Sequence, residues 1–348
     1  MKKKSLSAKK KIHKRLLNYL KDPLINRIYK NYSNYIKLNI KKSTFSSAVS
    51  GGSDSLALAY LSKCYSILNN VNINFYHIDH KLRKESSLEA KKLSFLLKKF
   101  DINCKVLNWN GKKPKSNIQA VARKKRYSLI YKECLKNKSD FILTAHHLDD
   151  LYENFIIRLL RGSGLKGLVS FDKNVIIYNG INVIRPFLST SKKDLLKINK
   201  KTFGFFIDDP TNNDDKFLRS RIRKLLINLD KEGLKFNKFY LTLKNLSKSD
   251  QVIEFYVDKN ILENSKYFEK DKKIILNQSF FNNPEEIILR SIMQVIKRIS
   301  WKKNYPRGKK VNSLIDSIKF SNKNVKLTLS GCIIEKIADS VIIYPEKR

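Results

Sequence analysis

From Ser43 to about Asn182, short runs rich in β-branched and aromatic residues alternate with longer segments whose apolar residues recur every three or four positions, and no other regularity in this sequence restricts the fold as strongly. Residues 45–49, 73–78, 105–109, 141–144 and 175–178 are expected as strands. Between them, 55–68, 88–100, 118–135 and 151–160 carry the spacing of helices that pack one face on a sheet. Repeated βαβ units build a parallel sheet covered by helices, so the expected fold class is α/β, a doubly wound parallel sheet.

A different pattern begins near Asp230. Lys- and Asn-rich stretches separate isolated helical segments such as 285–299, and residues 325–344 alternate apolar and polar side chains as two or three antiparallel strands would. The expected organisation is a basic N-terminal extension at 1–42, the α/β domain at 43–229, and a smaller basic α+β region at 230–348. The Lys-rich start is expected as a solvated helix able to touch RNA, since it supplies no apolar core for a secretion signal.

The chemistry is expected at SGGSDS, residues 50–55, which follows the first strand and opens the first helix of the alternating region. Ligands of open α/β sheets collect at the carboxyl ends of strands, and a helix N-terminus offers N–H groups and a positive dipole end to an anion. Gly51 and Gly52 let the backbone turn and approach a phosphate, while Ser50, Ser53 and Ser55 can donate hydroxyl hydrogen bonds. Asp54 makes sense among phosphate ligands as a holder of Mg²⁺. The competing reading is a Gly-Ser turn with an N-cap. A second glycine pattern, Gly162, Gly164 and Gly167, satisfies GxGxxG but follows a helix rather than a strand, and Leu168 stands where a Walker loop needs Lys.

SGGSDS resembles the PP-loop of the N-type ATP pyrophosphatases, which split ATP between the α and β phosphates. Further segments, in order, resemble the tRNA(Ile)-lysidine synthetases among them: HIDHKLR at 77–83, NIQAVARKKRYSLI at 117–130, TAHHLDDLYEN at 144–154, LLRGSGLKGL at 159–168, IRPFL at 184–188, IDDPTN at 207–212 and RSRIR at 219–223. Asn154 stands where that family often has Thr, and Ser220 where it usually has Asn.

The resemblance implies an enzyme that adenylylates C2 of the wobble cytidine in the CAU anticodon of tRNA(Ile), releases pyrophosphate, and then joins free L-lysine to that carbon with loss of AMP. It implies ATP and Mg²⁺ as cofactors, with Ser50, Gly51, Gly52, Ser53, Asp54, Ser55, Asp79 and His80 at the nucleotide, and Asp150 and Glu153 at the lysine. Asp54, Asp150, Glu153 and Arg126 are the expected catalytic residues. Arg123, Arg158, Arg161, Arg219, Arg223, Arg307, Lys309 and Lys310 are expected at the tRNA; for these basic groups the alternative is an ordinary solvated surface, and for Asp149, Asp150 and Glu153 a capped helix start.

Composition bears on the partner. With 72 Lys+Arg against 31 Asp+Glu the formal charge is +41, which favours a polyanion such as RNA, although a genome biased toward Lys, Asn and Ile accounts for part of the excess. No stretch approaches the length of a membrane span. The cysteines Cys64, Cys104, Cys134 and Cys332 form no CxxC pair, and His146 and His147 lack the third ligand of a zinc site, so the expectation is a cytoplasmic protein with reduced thiols and no zinc. A PP-loop tRNA thiolase is the nearest rival, disfavoured because sulfur delivery usually uses paired cysteines. The rival from another class is a non-catalytic RNA-binding protein on the same fold.

Overall fold

The computed structural model of the chain describes residues 2–40, 44–83, 85–112, 114, 116, 118–170, 175–178, 180–207, 216, 218–301, 306–321 and 324–346. Strands β1 (Thr44–Ala48), β2 (Asn72–Asp79), β3 (Cys104–Asn108), β4 (Phe141–Leu143), β5 (Val175–Tyr178) and β6 (Ile181–Ile184) form one sheet in the order β3-β2-β1-β4-β6-β5. Every pairing is parallel except that of β5 with β6. That last pair turns back at Gly180, whose φ of +84° suits a tight turn, so the sheet gains an antiparallel edge that the alternating pattern does not announce. Strand order reverses between β1 and β4, and the crevice beyond their carboxyl ends is where a sheet of this kind takes its ligand.

The helices before β1 belong to the same core. In α2 (Pro23–Asn39), Asp22 caps the first turn by accepting from the amides of Leu24 and Ile25 at 3.0 and 3.1 Å, and Pro23 supplies a preset φ. Ile25, Ile28, Tyr32 and Ile36 recur at helical spacing and are buried with α3 (Ser53–Asn69), where the Tyr32 hydroxyl meets Ser62 Oγ at 2.9 Å. Leu16 anchors α1 (Lys2–Asn18) in the same cluster, and Asp101 accepts from His13 Nε2 and Lys63 Nζ, both at 2.7 Å. The segment expected as a solvated extension thus carries an apolar face hidden by its lysines. Because α3 is covered on all sides, Leu56 through Leu61 are fully buried.

The other helices of this part are α4 (Ser86–Lys98), α5 (Ile118–Lys136), α6 (Leu148–Leu159), α7 (Leu165–Val169), α8 (Lys192–Thr202) and α9 (Leu218–Lys231). The chain divides into two compact units, Met1–Tyr240 and Leu241–Arg348, with α10 (Phe236–Asn264) crossing the division. In the second unit β7 (Ser265–Phe268), β8 (Lys273–Leu276), β9 (Val325–Leu329), β10 (Cys332–Ile337) and β11 (Ser340–Pro345) make an antiparallel sheet in the order β7-β8-β11-β10-β9. The apolar faces of α11 (Glu285–Ile299) and α12 (Gly308–Phe320) share its core, including Ile288, Ile292, Val295, Val311 and Ile318. Among the described residues no helix is long and apolar enough to cross a membrane.

Candidate active site

The loop after β1 is braced from within by Ser55. Its Oγ accepts from the amides of Ser50 and Gly51 and from Ser50 Oγ, each at 3.1 Å, and donates to the Gly52 carbonyl at 2.9 Å. Gly51 has a φ of +98°, and a Cβ there would stand 2.8 Å from Cδ1 of Ile207, whose amide donates to the Gly51 carbonyl at 2.9 Å. Both features demand glycine. Of the glycine pair expected to approach a phosphate, Gly51 therefore has its amide turned onto Ser55, together with the Ser50 amide. The amides of Gly52, Ser53, Asp54 and Ser55 head α3 and find no acceptor within the helix, so they are the donors that an anion would meet.

β4 delivers the second half of the site. The chain leaves β4 through Thr144 and His146, whose Oγ1 and Nδ1 lie 2.9 Å apart, and enters α6 at His147. Asp150 accepts from the His147 amide at 3.0 Å, and Asp149 accepts from the Lys192 amide at 2.8 Å, fixing the head of α6 against that of α8. The His147 imidazole then collects three carboxylates: Nε2 is 3.5 Å from Asp54 Oδ2 and 3.6 Å from Asp150 Oδ2, and Nδ1 is 3.5 Å from Asp149 Oδ2. Burial opposes a charge on this ring, but Asp150, Asp149 and Asp54 outweigh it and lift the His147 pKa to about 10. Burial acts the same way on neighbouring His146, and the guanidinium groups of Arg185 and Arg123 add to it, so that ring is held neutral against the pull of Asp150. Burial pushes the Asp150 carboxyl up, but charged His147, the His147 amide and Arg219 together hold it below its ordinary value.

Glu153, one turn further along α6, is 3% exposed. It accepts from Arg223 of α9, Nε to Oε1 at 2.5 Å and Nη2 to Oε2 at 3.5 Å, a forked pair that joins an expected lysine ligand to an expected tRNA contact. Asp79, at the end of β2, accepts from the Lys81 amide and from the hydroxyls of Ser86 and Ser87 at 2.8, 2.8 and 2.6 Å. Burial would raise its pKa, yet these donors hold it below the ordinary value, and the carboxylate anchors the turn into α4. His80 lies with its Nε2 3.4 Å from Nε of Arg126 and its ring edge-on to Trp109 at 6.0 Å. Burial pulls the Arg126 guanidinium below its usual range.

The remaining basic candidates spread along the surface. Arg123 stacks over Tyr127 at 5.3 Å, Arg158 is half-buried under the turn after α6, and Arg161 and Arg219 are exposed. Arg307, Lys309 and Lys310 stand exposed at the start of α12 in the second unit. Of IDDPTN, residues 208–212 lie outside the described residues, as does Asn117. His147 and the buried Arg185 are not singled out by the sequence, since a histidine pair without a third ligand reads only as an incomplete zinc set; the run of two histidines before two aspartates is the available signal. The cysteines are all buried, and burial lifts the Cys64 and Cys104 thiols to about 12.

Residues 21–229 match the PP-loop domain family. The chain is 37% identical over 222 residues to a tRNA(Ile)-lysidine synthase of Orientia tsutsugamushi, covering 60% of this chain and 50% of that protein. A tRNA(Ile)-lysidine synthase of Wolbachia pipientis is 33% identical over 301 residues, covering 86% and 70%, and one of Rickettsia felis is 31% identical over 311 residues, covering 88% and 71%. The chain thus spans half the length of the first relative and about 70% of the other two. Among solved structures, the U34-tRNA thiolase NcsA from Methanococcus maripaludis superposes with a TM-score of 0.53 at 16% identity over 65% of this chain and 78% of that one, a likeness of fold.

Proposed function

The chain belongs to the tRNA(Ile)-lysidine synthase family of PP-loop proteins, and from that premise we propose that it uses ATP to join free lysine to C2 of the wobble cytidine in the CAU anticodon of tRNA(Ile). One observation carries the reading. Asp54 at the head of α3 and Asp149 and Asp150 at the head of α6 converge around a single imidazole at the switch point of the sheet, an arrangement that would suit ATP phosphates at the head of α3 and a substrate amine at the head of α6.

In the first step the C2 oxygen of the cytidine attacks the α-phosphorus of ATP, and the bond to pyrophosphate breaks. The amides heading α3 neutralise phosphate charge, and a fixed array of this kind costs no reorganisation when charge develops. Among the described residues no group of three or more His, Cys, Asp or Glu side chains is placed to hold a metal. Asp54 suits Mg²⁺ all the same, since that ion commonly takes one carboxylate and completes its shell with phosphate oxygens and water; bound there it would screen phosphate charge. In the second step the ε-amine of lysine attacks C2, AMP leaves, and the amine loses a proton. Asp150 and Glu153 attract the substrate's ammonium groups, and Glu153 does so in competition with Arg223. Arg126, whose Nε lies 3.4 Å from Nε2 of His80, adds a cation close to the end of β2.

The tRNA reaches this site as an unpaired anticodon loop, whose bases are splayed at little cost. Arg123, Arg161 and Arg219, exposed on the first unit, and Arg307, Lys309 and Lys310, exposed on the second, supply contacts to the RNA backbone. Sulfur delivery is the poorer reading of the same fold, because that chemistry usually draws on paired cysteines, and the four here are buried and far apart in sequence. The reading is tested by incubating the protein with ATP, labelled lysine and an unmodified transcript bearing CAU: label enters the RNA, and does not enter when the anticodon is GAU.

A further inference from the structure

Two hydrogen-bond donors on α6 are buried and have no partner among the described residues: Nδ2 of Asn154 and Nε of Arg158. They stand one turn apart, and together with Asp150 they repeat every four residues along one face of the helix. A buried donor without an acceptor is costly, and native chains keep few of them. Arg158 is also confined. The turn after α6 closes over it, with the Ser163 amide donating to the Arg158 carbonyl at 3.0 Å, and a Cβ added at Gly167 would stand 3.7 Å from its Nη1. Arg161, one turn on, is by contrast exposed.

The chemistry that satisfies an amide N–H and a guanidinium N–H one helical turn apart on the same face is an anionic oxygen, preferably a carboxylate. Free lysine presents two ammonium groups and one carboxylate. The head of α6 already collects carboxylates that suit the ammonium groups, so the carboxylate is the part of the substrate for which the described site has no other donor pair on that face. We propose that Asn154 and Arg158 seat the α-carboxylate of the free amino acid, and that this pair makes the site select lysine over amines lacking that group. Helical side chains lean toward the N-terminus, which carries Arg158 toward Asn154 and Asp150. The proposal rests on the ligase reading above, and it moves Arg158 from the tRNA surface to the amino-acid pocket.

The test compares lysine with cadaverine, the same chain without its carboxylate, as acceptor on the CAU transcript, using the full-length protein and the variants Arg158→Gln, Arg158→Lys and Asn154→Leu. For Arg158→Gln the KM for lysine rises roughly 10- to 100-fold, as loss of a charge-assisted hydrogen bond implies, while the KM for cadaverine, the affinity for tRNA and pyrophosphate release without lysine stay as in the parent. Arg158→Lys retains part of the selectivity, and Asn154→Leu loses a smaller part. An unchanged preference for lysine in all three variants overturns the seat, as does a loss confined to tRNA affinity, which assigns Arg158 to an RNA phosphate instead. Failure of the parent protein to incorporate lysine at all overturns the ligase reading and the seat with it, so the two failures are distinguishable.

Discussion

Nε2 of His147 lies 3.5 Å from Oδ2 of Asp54, and this contact joins the loop after β1 to the helix after β4. Neither segment alone closes the site. His147 is 4% exposed and lies against Asp149 and Asp150 as well, so one ring gathers three carboxylates from the heads of α3 and α6. The joint has a pH signature. Its folded pKa of about 10 stands above an unfolded value near 6.5, so the stability it contributes is whole below about pH 6.5 and is lost as pH rises through about 10. Melting of the ligand-free protein followed from pH 6 to 10 will fall on this limb, and His147→Gln will flatten it. Equal slopes in the two proteins would show that the ring carries no such charge.

Ser55 governs the shape of the phosphate loop. Ser55→Ala leaves the Ser50 and Gly51 amides without their acceptor, which costs about 1–3 kcal/mol, and ATP affinity measured by calorimetry falls along with stability. Ser55→Thr keeps the hydroxyl and retains more of both.

Gly51→Ala combines a positive φ with a 2.8 Å approach to Ile207. Denaturant titration will show a loss of about 1 kcal/mol or more. Gly52→Ala, whose added Cβ meets nothing nearer than Ser50 Oγ at 3.9 Å, will cost less. The reverse order would mean that the loop adopts another conformation in solution.

Arg223→Met strands the buried Glu153 carboxylate and will destabilise the protein by about 3 kcal/mol. Adding Glu153→Gln restores most of that, and the double-mutant cycle reports the coupling directly. Additive losses would remove the pair.

Much of this fold is legible in the sequence. Residues 45–49 and 73–78 read as strands because they are short runs carrying Phe, Val, Ile and Tyr between helical patterns, and the observed β1 and β2 differ only at their ends. β6 escapes notice because Ile181–Ile184 is too short to show a period apart from the hairpin it closes. α2 is hidden by composition, since its Asn, Lys and Tyr residues mask four buried positions at helical spacing. The ion pair of Glu153 with Arg223 spans 70 positions, and no local pattern tells which arginine a buried carboxylate will meet. The same limit applies to Asp79: its place at a strand end is readable, but its donors on Ser86 and Ser87 depend on how the following turn folds back.

Arg307, Lys309 and Lys310 give a prediction for the second unit. Replacing all three with Gln will lower tRNA affinity and reduce the slope of log affinity against log salt by up to about 0.9 for each phosphate that these cations neutralise. Stability should hold or rise slightly, because these cations sit at the unfavourable end of the α12 dipole. An unchanged salt slope would leave the three residues as solvated surface.

The loop at 50–55 is proposed to set the α-phosphorus of ATP for attack by the RNA. The direct measurement is transfer of label from α-labelled ATP to a CAU transcript in the absence of lysine. The account predicts RNA-bound AMP that is chased off by adding lysine and that fails to form with Asp54→Asn. Release of ADP in place of pyrophosphate, or label on the RNA at full level in the Asp54→Asn variant, would contradict it.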